Sequence, residues 1–245
     1  GASVREVARA ADGQTTVRLS DGQTLTASRL LLATGRVPNV EMLDLPRAGV
    51  AATARGVTTD ARLRTSQRHI FAIGDVAGRE AFTHAASAHA SVVVKQALFG
   101  LPAKVGRQTV PWVTYTDPEL AHAGLTVEQR DALVPRSGQR VVEIPFSDID
   151  RARCEGRTDG RIRIVTDHRG RLLSVDILGQ HAGELILPWV LALDRGLRLS
   201  QIASTIVPYP TRSEVTKRVA SAFFTPRLFS DRTRAVVRWV QRWIP

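Results

Sequence analysis

The sequence is poor in the residue that disulfide chemistry needs. Cys154 is the only cysteine among 245 residues, so no disulfide can form within the chain. Because dithiol exchange needs one thiol to attack and a second to resolve, these residues cannot carry it out by themselves. We interpret Cys154 as an incidental residue in a loop or at a strand edge. A single cysteine fits a reducing cytoplasm, which is the compartment that we expect.

Long apolar runs and aromatic residues are also scarce. No run of about 18 apolar residues occurs, so the sequence predicts no transmembrane helix. Aromatic residues make up only 5% of the chain, although the net charge is +11. The arginines are scattered along the whole length without a nucleic-acid motif, so the charge indicates solubility and nonspecific attraction to anions. We therefore expect no nucleic-acid partner, and the sequence predicts no metal site.

Hydrophobic patterning divides the chain into strand-rich and helical segments. The start alternates polar and apolar residues around a hairpin turn at Asp21-Gly22. An Ala-rich segment predicts a helix from Thr83 to Phe99, ended by Gly100. Beyond this helix the pattern predicts further elements: strands at 110–115, 141–146, 161–165 and 172–178, a helix starting near Thr126, and a helix from Glu184 to Asp194 ended by Gly196. Strands followed by helices indicate an α+β domain.

Two apolar segments each end in a turn of small residues. Residues 30–32 lead into Ala33-Thr34-Gly35, and residues 70–73, expected as a buried strand, lead into Gly74-Asp75. Ligands of open α/β folds bind at the carboxyl ends of strands, where small residues let the backbone approach closely. The Asp75 carboxylate can accept hydrogen bonds there from a sugar-like hydroxyl chain. An ordinary turn aspartate is the alternative.

The motifs ATGRVPN at residues 33–39 and FAIGD at residues 71–75 resemble, in this order and spacing, the second half of a known FAD site. That site belongs to the flavoprotein disulfide oxidoreductases, the family of dihydrolipoamide dehydrogenase, glutathione reductase and mercuric reductase. The resemblance implies that Asp75 binds the ribityl hydroxyls and that the helix start at His84 points at the flavin. A capping-region histidine is the alternative for His84. The implied cofactor-binding residues are Ala33, Thr34, Gly35, Arg36, Gly74, Asp75, His84 and Ala85.

The motif VPYPTRSE at residues 207–214 resembles the segment that carries histidines in dithiol-using relatives. Val207 stands at the position of the first histidine and cannot transfer protons. Tyr209 replaces the second histidine, so Glu214 loses the imidazole partner that the resemblance implies. We expect impaired dithiol–disulfide exchange, with Tyr209 and Glu214 as the catalytic candidates and Tyr209 as a polar ligand or donor beside a thiol-bound substrate. Packing of Tyr209 at a dimer interface is the alternative.

The resemblance spans residues 17–224 and implies a domain order. Residues 1–29 would end an NAD(P)-binding domain, residues 30–104 would be the second part of an FAD-binding domain, and residues 105–224 would form an α+β dimerisation domain. The sequence has no GxGxxG motif, no CxxxxC pair and no complete nicotinamide-binding βαβ unit. The expected fold is therefore the C-terminal part of a flavoprotein with two dinucleotide-binding domains, of mixed α/β and α+β class.

These features predict the C-terminal half of an FAD-dependent NAD(P)H oxidoreductase that acts as a homodimer. Its motifs are most similar to those of mercuric-reductase-like members. The resemblance therefore implies that electrons pass from NAD(P)H through FAD to a disulfide or a thiol-bound metal ion. By themselves the 245 residues are expected to bind FAD weakly or not at all and to be inactive. The alternative is a non-catalytic dimerisation fragment whose flavin site is vestigial.

A basic amphipathic helix is predicted over residues 225–245. Arg234, Arg238 and Arg242 recur at every fourth position, while valines and tryptophans occupy the other side. Such a helix suits peripheral contact with an anionic membrane surface through residues 227–245. Packing of this helix on its own dimer is the alternative.

Overall fold

The computed structural model describes residues 1–106 and 109–243. Residues 107 and 108, inside the predicted dimerisation domain, lie outside the described residues, as do residues 244 and 245 of the predicted tail helix. Within the described ranges the strands form three sheets, and all their pairings are antiparallel.

A three-stranded sheet occupies the first part of the chain. β1 (Val4–Arg9), β2 (Thr15–Leu19) and β3 (Thr24–Ala27) pair in the order β1-β2-β3. The predicted hairpin between β2 and β3 is confirmed. Gly22 in its turn has a φ of +86°, which glycine adopts without steric cost.

The two strands predicted from the flavin-like motifs do not form. Residues 30–33 belong to no strand, and two of their leucines are 88% and 75% exposed. Residues 70–73 contribute only an isolated bridge between Phe71 and Arg64. The prediction of two strands is therefore wrong for this chain. A parallel strand is held by ladder hydrogen bonds to neighbouring strands, and no segment among the described residues supplies them here.

A small helical unit lies between the two larger sheets in the sequence. β4 (Ala52–Thr53) and β5 (Gly56–Val57) form a hairpin, residues Gly74–Ala77 form a 3-10 helix, and α1 covers Thr83–Ala97. The helix predicted for residues 83–99 is thus confirmed. Four of the buried side chains of this unit form a small core: Val50, Val57, Ala72 and Ala77.

A five-stranded antiparallel sheet dominates the second part of the chain. Its order is β6-β7-β10-β9-β8. The strand bounds are β6 Trp112–Thr114, β7 Glu119–Gly124, β8 Gln139–Pro145, β9 Arg161–Asp167 and β10 Leu172–Gly179. The four predicted strands correspond to β6, β8, β9 and β10. β7 was not predicted, because its residues ELAHAG include no β-branched residue and favour strands only weakly.

Helices complete this second part. Their bounds are α2 Val127–Leu133, α3 Asp150–Cys154, α4 Ala182–Leu185, α5 Leu187–Arg195, α6 Leu199–Ala203, α7 Glu214–Ala222, α8 Thr225–Leu228 and α9 Asp231–Val240. Alternate residues of the sheet join side chains from α4, α5 and α7 in the main core, which includes the fully buried Phe146, Ile177 and Trp189. The predicted α+β arrangement is confirmed.

Two local predictions in this part need correction. Cys154 is exposed and ends α3, so its expected place in a loop or strand edge is wrong. Ile149 and Ala152 are both fully buried, and their three-residue spacing fixes this short segment as a helical turn on the core. The single helix predicted from Glu184 to Asp194 is divided into α4 and α5, because the proline in the first turn of α5 lacks an N–H for a continuous helix.

Over residues 225–243, which the structure describes, the tail forms two helices rather than the one predicted over residues 225–245. Ser230 caps a new helix, since its Oγ accepts a hydrogen bond from the N–H of Thr233 at 3.3 Å. A serine in this position satisfies a backbone N–H that would otherwise lack a partner, so α9 begins afresh after α8. Among the described residues, no helix has the length and apolar character needed to cross a membrane.

Candidate functional site

Asp75 lies in the first turn of the 3-10 helix Gly74–Ala77. Its Oδ2 lies 2.7 Å from Nη2 of Arg36, and the side chain of Asp75 remains 36% exposed. Two predicted cofactor residues from separate motifs are therefore in contact. Because the aspartate remains partly accessible, a ligand hydroxyl can approach its carboxylate.

A cleft of about 710 Å³ opens beside this ion pair. Arg36, Arg55 and Arg79 line it, and Asp75 is the single acidic residue among the described residues of its lining. An excess of guanidinium groups attracts phosphate groups, while the carboxylate can accept hydrogen bonds from hydroxyls. Arg55 and Arg79 were not predicted as site residues, because nothing in their local sequence distinguishes them from the many other arginines of the chain.

The remaining predicted cofactor residues lie outside the lining of this cleft. Within the described residues these are Ala33, Thr34, Gly35, Gly74, His84 and Ala85. Residues 33–35 are exposed, whereas Ala85 is buried. The structure thus brings together Arg36 and Asp75 but leaves the ATG turn open to solvent.

Glycines let the turns around Asp75 approach each other closely. Gly74 has a φ of +66°, and a Cβ placed on it would lie 3.2 Å from Cβ of Ala86 in α1. Gly56 and Gly78 also have positive φ angles. A Cβ on Gly56 would collide with the backbone of the turn that contains Gly78, and a Cβ on Gly78 would collide with the backbone of the turn that contains Gly56. The hairpin β4–β5 and the helix α1 therefore enclose the Asp75 turn from two sides, at positions where other residues would introduce strain.

His89 holds the Asp75 turn onto α1. It is 3% exposed, and its Nδ1 accepts a hydrogen bond from the N–H of Gly74 at 3.2 Å. Burial is the main cause that lowers the pKa of His89, and the nearby positive charge of Arg79 lowers it further. The neutral imidazole, which can accept this bond, is thus favoured. His89 was not predicted as a site residue, since its partner is distant in sequence and only tertiary contact reveals the pairing.

The start of α1 has backbone N–H groups without a side-chain cap. Phe82 at the cap position provides no capping hydrogen bond. The ring of His84 stacks on that of Phe82 at 5.2 Å, and its Nε2 lies 2.8 Å from the carbonyl oxygen of Pro111. His84 is therefore engaged with the segment that enters the five-stranded sheet. The N–H groups of the first turn remain able to face a negatively charged ligand.

Tyr209 forms a second polar site with Asp150. The phenol O–H donates to Oδ2 of Asp150 at 3.1 Å, while the side chain is 69% exposed. This hydrogen bond and the negative charge of Asp150 raise the pKa of Tyr209. The phenol is thus kept protonated and can act as a donor.

Glu214 begins α7, close to Tyr209 in the chain. Its Oε2 is buried and has no hydrogen-bond partner among the described residues. Val207 is half-buried, and its side chain can supply no hydrogen bond to this oxygen. A buried carboxylate oxygen without a partner is unfavourable. The catalytic roles of Tyr209 and Glu214 stay predictions.

Arg212 anchors the segment between these two residues. It is 7% exposed, and its Nη2 lies 2.7 Å from both Oε2 of Glu155 and Oε1 of Gln180, with Nε also 2.9 Å from that Glu155 oxygen. The hydrogen bonds from Arg212 and then Arg151 lower the pKa of Glu155. The motif is therefore attached to the ends of α3 and β10, and this role of Arg212 was not predicted from the sequence.

Two family models match the chain. The model of the pyridine nucleotide-disulphide oxidoreductases matches residues 1–90, and the model of the dimerisation domain of the same family matches residues 110–220. The second match covers the five-stranded sheet and most of its helices. It identifies this part of the chain as a dimerisation domain.

Curated relatives show the same relationship. The chain is 36% identical over 200 residues to dihydrolipoyl dehydrogenase 3 of Haloarcula marismortui, covering 80% of this chain and 41% of the relative. It is 34% identical over 205 residues to mercuric reductase of Streptomyces lividans, covering 82% of this chain and 42% of the relative. The chain thus spans about two fifths of the length of these relatives.

Solved structures share the fold as well. The HOCl-induced flavoprotein disulfide reductase RclA of Escherichia coli matches with a TM-score of 0.80 and 28% identity, over 90% of this chain and 50% of that one. LpdA of Mycobacterium tuberculosis matches with a TM-score of 0.82 and 26% identity, over 91% and 48%. With both family models and these relatives in agreement, the chain belongs to the pyridine nucleotide-disulphide oxidoreductase family.

Proposed function

We propose that this chain supplies part of the FAD site and the dimerisation domain of an FAD-dependent NAD(P)H oxidoreductase. The main observation that supports the proposal is the arginine-rich cleft of about 710 Å³ beside the Asp75–Arg36 pair. Its single carboxylate and three guanidinium groups suit a ligand that has both hydroxyl and phosphate groups, as FAD does. Membership of the family supports the same cofactor.

The residues around the cleft fit the polyol and phosphate parts of FAD. When bound, FAD would carry electrons between the nicotinamide and the final acceptor. Asp75 would accept hydrogen bonds from ribityl hydroxyls, and Arg36, Arg55 and Arg79 would attract phosphate oxygens. Neutral His89 would keep Gly74, and with it Asp75, in place. The uncapped start of α1 would favour negative charge nearby.

The acceptor is proposed to be a disulfide or a thiol-bound metal ion. Val207 cannot exchange a proton, which disfavours efficient turnover of a dithiol substrate. Tyr209 is exposed and protonated, and its single O–H is donated to Asp150 in this structure. To donate a hydrogen bond beside such a substrate, this O–H would turn away from Asp150. The relatives named dihydrolipoyl dehydrogenase and mercuric reductase are compatible with either acceptor, while Val207 and Tyr209 favour the metal ion.

The working form is proposed to be a homodimer in the cytoplasm. The match to the family's dimerisation domain over residues 110–220 supports self-association. The single cysteine is in keeping with a reducing compartment. NADH and NADPH are equally compatible with the residues described.

A second candidate is a non-catalytic dimerisation module with a vestigial flavin site. Arg36 already occupies one oxygen of Asp75 at 2.7 Å, and residues 33–35 are exposed rather than held in a sheet. A ligand would have to share Asp75 with that arginine. This candidate predicts a stable, colourless dimer.

Flavin content decides between the two. The protein should be purified in the form in which its cell makes it, and its flavin absorbance compared with that of Asp75→Ala. Loss of a hydrogen bond to a charged group is expected to weaken FAD binding about tenfold to a hundredfold. Asp21→Ala, in the exposed hairpin turn, is the matched control and should retain flavin. Equal flavin content in Asp75→Ala and Asp21→Ala would contradict the proposal, and absence of flavin from the unaltered protein would favour the second candidate.

A further inference from the structure

The tail helix α9 is left uncovered by the rest of the fold. It has no buried residue over Asp231–Val240. The exposed apolar side chains of this segment include Trp239 in α9, at 61% exposure, and Trp243 in the turn that follows it, at 76%. Large apolar groups at this level of exposure, gathered on one helix, are typical of a surface that contacts another phase or partner.

The apolar residues and three of the four arginines over residues 231–243 lie on different sides of this helix. The fourth, Arg232, stands four residues before Val236 and shares the apolar side. Val236, Val240 and Trp243 are separated by four and three positions, which places them on one face together with Trp239. The helical path continues to Trp243, whose N–H donates to the carbonyl of Val240 at 2.9 Å. This i→i−3 bond shows that the chain continues as a helical turn after α9, which keeps Trp243 near the apolar face.

The opposite face carries positive charge that the fold does not neutralise. It bears Arg234, Arg238 and Arg242, again at four-residue spacing. Arg234 lies 3.8 Å from the exposed Asp231. Among the described residues, Arg238 and Arg242 form no ion pair. Arginines flanking a tryptophan- and valine-rich face are complementary to anionic lipid headgroups above an apolar interior.

A second copy of the chain fits this face less well than a lipid surface does. A stable protein interface buries about 800 Å² on each partner and involves roughly 20 to 30 residues a side. The apolar face of α9 is small by that measure. The match to the dimerisation domain also ends at residue 220, before α9 begins.

We propose that α9 with the following turn, residues 231–243, is a peripheral binding site for anionic lipid surfaces. The tryptophans and valines would enter the interface, and the arginines would contact the headgroups. Near such a surface, electrostatic attraction raises the affinity about fivefold for each arginine. Three arginines should therefore raise the affinity for anionic lipid about a hundredfold above that for neutral lipid. This site is independent of the proposed flavin function.

Vesicle co-sedimentation of the full chain tests the proposal. Vesicles of phosphatidylcholine alone are compared with vesicles that contain roughly one third phosphatidylserine. We expect binding to the anionic vesicles with a blue shift of tryptophan fluorescence. The variant Trp239→Ala/Trp243→Ala should lose at least tenfold in affinity, and Arg234→Gln/Arg238→Gln/Arg242→Gln should lose about a hundredfold.

A charge-matched control separates a specific site from the general positive charge of the chain. Arg5→Gln/Arg9→Gln/Arg68→Gln removes the same charge from exposed positions elsewhere and should bind vesicles as the unaltered chain does. Equal losses in both triple variants would overturn the proposal, as would unimpaired binding by the tryptophan variant. A change of oligomeric state by light scattering in the tail variants, without vesicle binding by the unaltered chain, would assign the face to a second copy and also overturn it.

Discussion

Replacing His89 by alanine is expected to destabilise the Asp75 unit by about 3 kcal/mol. The N–H of Gly74 would lose its acceptor in a buried position, which costs about 1–3 kcal/mol. The missing imidazole would leave a cavity, and roughly 40 Å³ of residual space at about 24 cal/mol per Å³ adds about 1 kcal/mol. His89→Asn places an oxygen near the position of Nδ1 and should recover part of the loss.

Urea unfolding measured by circular dichroism gives the free energy, and hydrogen exchange at the Gly74 amide reports the bond itself. His69→Ala is the matched control, because His69 is exposed, and it should change the free energy of unfolding by no more than about 0.5 kcal/mol. If His89→Ala and His69→Ala gave equal free energies and equal Gly74 protection, the assigned role of His89 would be refuted.

The same histidine predicts a pH dependence. Burial lowers the pKa of His89 in the folded chain from its usual 6.5. At pH values between 6.5 and this lowered pKa, the unfolded chain therefore binds a proton on His89 that the folded chain does not bind. Stability should be unaffected by His89 above pH 6.5, fall as pH decreases below 6.5, and level off below the pKa of the folded state. His89→Ala should remove this component of the slope. A stability of the unaltered chain that rises on acidification, relative to His89→Ala, would contradict the assignment.

Two further predictions concern the 207–214 motif. Arg212→Met should lower the midpoint temperature of thermal unfolding clearly more than the control Arg157→Gln does. Arg212 is buried with three short hydrogen bonds, whereas Arg157 forms an exposed ion pair with Asp117. Equal midpoint temperatures in the two variants would argue against the anchoring role of Arg212. Tyr209→Phe should slow reduction of a thiol-bound metal ion by the whole enzyme, as it removes the donor held by Asp150, while leaving flavin content unchanged. An unaltered rate would leave Tyr209 without a role in that reaction.

Local signals were sufficient for several elements. Thr126 precedes α2 and forms a capping box with Gln129, a pattern readable within four residues. Gly22 and Gly196 have the positive φ angles that glycine tolerates at turns and helix ends. The helix Thr83–Ala97 is expected from its composition alone. Each of these depends on neighbours in the chain, so sequence suffices.

Non-local elements were predicted less well. Residues 30–33 and 70–73 are apolar enough for strands, yet a strand requires hydrogen-bonding neighbours that the described residues do not provide. Conversely, β7 has a weak strand sequence and forms because it lies between β6 and β10. Pairing with other segments outweighs local propensity in both cases.

By itself, the sequence indicated the family and singled out Asp75, Tyr209 and Glu214 as candidate site residues, since residue type and spacing within a short motif are read directly from the chain. Only the tertiary structure decided which side chains meet. Arg36 reaches Asp75, His89 holds Gly74, and Arg212 binds Glu155 and Gln180. The physical reason is that hydrogen bonds and ion pairs act over a few ångströms in space, and folding sets those distances between residues that lie far apart in the chain.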